Sequence, residues 1–120
     1  MSKKFVFGID LGTTYSCIAY VDDTGHAVVV PNGEGDAITP SVVQIDKDGS
    51  VVAGQVAKDN SIVEHASTVE FVKRQIGRTA VARTIHGTDY SPEEISAHIL
   101  KKISVDVANS ALGAEVNGNP

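Results

Sequence analysis

A chain of 120 residues, 42% hydrophobic and 21% charged, has the length and composition of one compact domain or part of one, and this excludes disorder and fibrous repeats. Ten basic residues against fifteen acidic ones leave a net charge of -5 with no broad cationic patch, so sequence-independent binding to nucleic acid is excluded. A single cysteine, Cys17, cannot form an internal disulfide and suits a reducing compartment, and no apolar run reaches signal-core or membrane-spanning length.

Three Phe, three Tyr and no Trp mean that Val, Ile and Ala must fill the core. The apolar, β-branched runs 5–9 and 16–21 predict a hairpin around Gly12-Thr13-Thr14. Asp22-Asp23-Thr24-Gly25 predicts a second turn and 27–30 a third strand, so three antiparallel strands open the chain. Residues 31–40, rich in Asn, Gly and Pro, mark a loop or subdomain boundary. Strands at 41–45 and 50–53 then flank Asp46-Lys47-Asp48-Gly49 in another hairpin. Val69, Val72 and Ile76 recur at helical spacing and predict a short helix over 67–76 that stops at Gly77. Ser91-Pro92-Glu93-Glu94 reads as a capping box with Pro at the first helical position, followed by the stripe Ile95, Ile99, Ile103 and Val107. Gly113 is the expected end of that helix, with 117–120 as a tail.

The chemistry-bearing stretch is Gly8-Ile9-Asp10-Leu11-Gly12-Thr13-Thr14-Tyr15-Ser16. It places a carboxylate at a strand end and a Gly-Thr-Thr turn after it, and such a turn can offer amides and hydroxyls to phosphate oxygens. Gly12 allows close backbone approach, and Asp10 can hold a hydrated Mg²⁺, an ion that takes one or two carboxylates plus substrate phosphates. The stretch is neither a Walker loop nor a dinucleotide fingerprint. Local chemistry alone leaves a plain turn equally open.

These residues resemble the first phosphate motif of the 70-kDa heat-shock chaperones, whose ATPase domain belongs to the actin-like superfamily. Three further segments fall in the family's order: Asn32-Gly33-Glu34-Gly35 running to Thr39-Pro40-Ser41, then Phe71-Val72-Lys73-Arg74-Gln75-Ile76-Gly77-Arg78, then Ser91-Pro92-Glu93-Glu94-Ile95. The resemblance covers essentially the whole chain. It implies an α/β, actin-like ATPase (ribonuclease H-like) fold, partial, with the first lobe only: antiparallel β-hairpins followed by helices of a small outer subdomain. Residues 1–39 would begin the inner subdomain of lobe I and carry the phosphate loop, 40–116 would form the outer subdomain, and 117–120 the tail.

By position, the resemblance makes Gly12, Thr13, Thr14 and Tyr15 the ATP or ADP phosphate contacts and sets Asp10 facing Mg²⁺ through water. It makes Lys73 the catalytic lysine, a cation beside the γ-phosphate that stabilises spreading charge and helps place the attacking water. Taken alone, Lys73 would be a solvated charge. The family usually has Arg where Ala37 stands, so a cation is missing from that loop. His26, His65, His86 and His98 show no metal spacing and are assigned no chemistry, and Cys17 is expected to be a small buried hydrophobe.

The family's ATP site lies between two lobes, and this chain would end near the close of the first. The second phosphate motif, the adenosine-binding segment, the catalytic acidic residues, the linker and the peptide-binding domain would lie outside it. The implied parent is a cytoplasmic ATP-dependent chaperone whose partners are unfolded polypeptides, a J-domain co-chaperone and a nucleotide-exchange factor, with no nucleic acid and no membrane. The 120 residues alone are expected to show little or no ATPase activity, and their open sheet edge to favour self-association. Two other readings stand beside this one: part of another phosphotransferase of the superfamily, and a non-enzymatic interaction module.

Overall fold

The computed structural model describes residues 6–70, 76–78 and 81–110. Strands β1 (Phe7–Leu11) and β2 (Tyr15–Val21) form the expected antiparallel hairpin, with Phe7 opposite Tyr20 and Leu11 opposite Ser16. Alternation along β1 turns Phe7 and Leu11 onto the core and leaves Gly8 and Asp10 on the other face. The far edge of β2 is shared: β3 (Ala27–Val29) pairs with Ala19–Val21, and the two-residue β4 (Thr39–Pro40) pairs with Tyr15 and Ser16.

A second sheet, ordered β6-β5-β7, comes from β5 (Val42–Ile45), β6 (Val51–Ala53) and β7 (Thr68–Glu70). The turn between β5 and β6 is the one expected from Asp46 to Gly49. Strand β7 corrects the helix expected over 67–76: Val69 lies opposite Val43 in the sheet and is buried there. The helical spacing of Val69 was therefore coincidental, because a fully buried middle strand rewards a neighbour on its open edge more than a three-residue apolar stripe rewards a helix. Residues 71–75, where the rest of that expected helix falls, lie outside the described residues.

Two elements carry no strong sequence signal. Helix α1 (Gln55–Asn60) has no side-chain cap and buries only Ala57, so the sheet it packs on sustains it rather than its own propensity. Strands β8 (Arg83–Ile85) and β9 (Thr88–Tyr90) close a small hairpin through His86 and Gly87. His86 sits at φ 51, and its Nε2 lies 3.1 Å from Ser67 Oγ and 3.0 Å from the Ile45 carbonyl, which fastens this hairpin to the β5–β7 sheet.

Helix α2 (Pro92–Asn109) starts as its sequence predicts. Ser91 Oγ accepts from Glu94 N and the Glu94 carboxylate accepts from Ser91 N, both at 3.1 Å. Ile95, Ile99, Ile103 and Val107 are all buried, each contributing about 1.5–3 kcal/mol of transfer free energy. The helix ends at Asn109, short of the expected Gly113, because Ser110 takes an extended conformation while its N–H bonds back to Val107. The core is aliphatic as composition requires: that stripe meets Ile18, Val30, Val43, Ile45, Val69 and Ile85.

Candidate functional site

The connection between β1 and β2 is only Gly12-Thr13-Thr14, and it is held from outside itself. Ser41, which directly follows β4, is wholly buried. Its backbone N–H donates to the Thr14 carbonyl at 2.9 Å, and its hydroxyl donates to the Gly12 carbonyl at 2.7 Å. Ser16 Oγ lies 2.9 Å from Ser41 Oγ. A hydroxyl has one proton, and that of Ser41 is committed to Gly12, so Ser16 is the donor in this pair. The segment that delivers Ser41 is itself fixed, since Asn32 Nδ2 donates to Thr39 Oγ1 at 3.0 Å and to the Ile38 carbonyl at 3.1 Å.

Gly12 is required by space. A Cβ built on it would overlap the Tyr15 carbonyl oxygen, so the loop folds back on its own strand at a distance no side chain permits. Thr13 and Thr14 are exposed, and Tyr15, the first residue of β2, is 40% exposed. The loop thus turns its Gly12 and Thr14 carbonyls to the buried side and leaves two hydroxyl side chains exposed. Asp10 is exposed on β1 opposite Cys17, and its carboxylate makes no hydrogen bond or ion pair among the described residues. The structure therefore gathers Asp10, Gly12, Thr13, Thr14 and Tyr15 on one hairpin, whereas Lys73 lies outside the described residues.

Lys58, on α1, is the member of this neighbourhood that the sequence does not disclose. Its Nζ donates to the Tyr15 hydroxyl at 3.0 Å and stands 5.0 Å from the ring centroid. The hydrogen bond to Tyr15, helped by Coulombic attraction to the same group, holds the ammonium above the ordinary lysine value of 10.5. A cation therefore stands beside the phosphate-type loop. Nothing in the local sequence marks Lys58, because its partner is 43 positions away.

Lys102 brings a cation to the loop that holds Ala37. Its Nζ sits 3.0 Å from Glu34 and 2.6 Å from Asp106, so the loop after β3 receives its cation from α2. Burial opposes that charge, but the hydrogen bonds that Lys102 donates to Asp106 and Glu34 outweigh it and raise its pKa. Gly54 makes room for this arrangement, with Lys102 Cε at 2.9 Å and Thr39 Cγ2 at 3.1 Å from the position its Cβ would take. Cys17 is half-buried rather than buried and borders a small cavity with Ile18, Val30, Ala37, Ile103 and Val107. Of the histidines, His26 bonds Thr24 and His86 fastens the hairpin, and no group of three or more metal-ligating side chains forms among the described residues.

An antiparallel hairpin that opens the chain, a glycine-tight phosphate-type loop at its first connection and an α/β layer beyond it define part of an actin-like ATPase lobe. Residues 6–85 match the sequence model of the Hsp70 protein family. The chain is 46% identical to the chaperone protein DnaK of Thermotoga neapolitana over 114 residues, covering 95% of this chain and 19% of that protein. The DnaK proteins of Thermotoga petrophila and Thermotoga maritima are each 45% identical over the same share of both chains. The chain therefore belongs to the Hsp70 family and spans about a fifth of the length of the relatives it matches. The family implies a nucleotide, and the residues present suit one: Thr13 and Thr14 are exposed on the loop, and Asp10 is an exposed carboxylate, unpaired among the described residues, of the kind a hydrated Mg²⁺ accepts. Among the described residues, no helix is long and apolar enough to cross a membrane.

Proposed function

We propose that the chain supplies the first phosphate loop of an ATP-dependent chaperone. The observation that carries this reading is the Gly12–Tyr15 loop, seated on Ser41 with its threonines exposed, in a chain of the Hsp70 family. In this role Gly12, Thr13, Thr14 and Tyr15 bind the phosphates of ATP or ADP through amides and hydroxyls, and Asp10 holds Mg²⁺ through water. MgATP, when bound, brings a transferable γ-phosphoryl group whose charge the metal partly neutralises. Lys73 places a cation near that group and helps orient water, while Lys58 braces Tyr15 through its hydroxyl.

Residues 1–39 begin the inner subdomain of the first lobe, 40–116 form its outer subdomain and 117–120 a tail. In the longer protein, ATP binding and hydrolysis close and open the lobes and so drive the holding and release of unfolded polypeptides in the cytoplasm, with a J-domain co-chaperone and a nucleotide-exchange factor. The 120 residues alone present half a cleft, so phosphate contacts open to water bind nucleotide weakly and turn it over little or not at all. Among the described residues nothing pairs with the far edge of β1, and that edge gives two copies a route to associate.

Titration of MgATP into the ¹⁵N-labelled chain tests this reading. Weak, saturable shifts centred on the Gly12, Thr13, Thr14 and Tyr15 amides are expected, and they should vanish in Thr13→Ala. Shifts confined to another surface would overturn it. Tight calorimetric binding would instead sink the half-cleft argument.

A further inference from the structure

We infer that Ser41 is the positioning residue of the phosphate loop: it sets the direction in which the loop amides point, and so whether the loop can receive an anion. This rests on the loop being a phosphate site, and it assigns a role to a residue outside the motif. The argument starts from peptide planarity. In a trans peptide the C=O and the following N–H point in opposite directions. Ser41 holds the Gly12 carbonyl through its hydroxyl at 2.7 Å and the Thr14 carbonyl through its own N–H at 2.9 Å. Both carbonyls are thereby turned toward a wholly buried residue. The N–H groups paired with them, those of Thr13 and Tyr15, must then face away from Ser41, on the side where Thr13 and Thr14 are exposed.

The two anchors differ in kind. The Ser41 N–H belongs to the chain and survives any substitution except proline, whereas the hydroxyl on Gly12 depends on the side chain. Removing it leaves the Gly12 carbonyl and the Ser16 hydroxyl without a partner, and Ser16 is only 1% exposed. A peptide unit flanked by glycine has little steric resistance to turning over, so Gly12-Thr13 is the plane that loses its direction. If the Gly12 carbonyl swings outward, the Thr13 amide is replaced by an acceptor that repels phosphate. Ser41 therefore fixes the polarity of the loop without touching the ligand.

The test uses the ¹⁵N-labelled 120-residue chain and inorganic pyrophosphate. The residual dipolar coupling of the Thr13 N–H reports the direction of the peptide plane with no ligand present, and the Thr13 amide shift reports anion binding. Ser41→Ala is expected to change the coupling and to weaken pyrophosphate binding about tenfold, the equivalent of one lost buried hydrogen bond. Ser41→Thr, which keeps the hydroxyl, should restore both even if it melts lower, and Thr24→Ala, which takes a hydroxyl from a remote turn, should move neither. If Ser41→Ala fails to fold, Ser41→Cys, a weak donor of similar size, should give the same two changes in smaller measure. An unchanged coupling in the folded Ala or Cys variant overturns the inference, as does binding that tracks melting temperature instead of the hydroxyl. Should pyrophosphate leave the wild-type Thr13 amide unmoved, the phosphate reading fails and Ser41 is reduced to a support of the fold, which the couplings would still show separately.

Discussion

The turns of the first two hairpins are held in opposite ways. Asp22 serves its own turn: its carboxylate accepts from Thr24 N and His26 N at 2.9 Å each and from Thr24 Oγ1 at 2.6 Å. Asp48 does the same between β5 and β6, accepting from Ser50 N and Ser50 Oγ. The Gly12-Thr13-Thr14 turn uses none of its own side chains for holding, and is fastened by a serine 29 positions away. A turn that only reverses the chain can spend its polar side chains on itself. A turn that must meet a ligand keeps them free, and its rigidity has to come from elsewhere in the fold.

The contrast yields measurements in descending order of effect. Gly12→Ala should be the most damaging, because the new Cβ overlaps the Tyr15 carbonyl oxygen, and a loss of roughly 2–3 kcal/mol in urea denaturation is expected. A variant as stable as wild type would show that the loop opens easily. Next comes Ser41→Ala, which should lower stability by about 1–3 kcal/mol by stranding buried polar groups. Lys102→Ala should cost less than about 1 kcal/mol, since its ion pairs are partly solvated. Because the folded Lys102 pKa is raised, whatever it contributes is fully present below the unfolded value of 10.5 and is lost as pH rises through the folded one.

The self-held turns should give the smallest signal, and an acidic one. Hydrogen bonds from Thr24 and His26 lower the Asp22 pKa, and those from Ser50 lower that of Asp48, both starting from 3.8. Their contribution is therefore present above 3.8 and disappears as pH falls through the lower folded values. Asp22→Asn should flatten that acid limb of the denaturation curve and leave the Thr13 amide unperturbed. A shifted Thr13 resonance would erase the distinction between the two kinds of turn.

The same distinction explains what the sequence discloses. The Asp22 and Asp46 turns, the Ser91 capping box and the four-residue stripe of α2 are local patterns, and each appears where its residues predict. The loop proposed to take phosphate is a local pattern too, because Gly12, Thr13 and Thr14 are contiguous. Ser41 and Lys58 act across 29 and 43 positions, and no local pattern encodes such a partner. Ser41 closes the family-like segment Thr39-Pro40-Ser41 and stands directly before the apolar run Val42-Val43, but neither feature tells what it holds. Strand β7 was misread for a related reason: Val69 owes its conformation to Val43 across the sheet, not to Val72 along the chain. Helix α1, six residues with no cap, is equally a product of what it rests on.

Helix α2 lies on β5 and β6, while Ile103 and Val107 near its end border a cavity with Ile18 and Val30. Its 18 residues measure about 27 Å, and a capped helix of that length bends little. It is a lever whose two arms rest on different sheets. A tilt of about 10° at the capped end moves the far end by about 5 Å at this length. A rotation of the β5–β6 sheet that carried the helix rigidly with it would therefore displace the helix end that lies beside β2, the strand whose first residue is Tyr15.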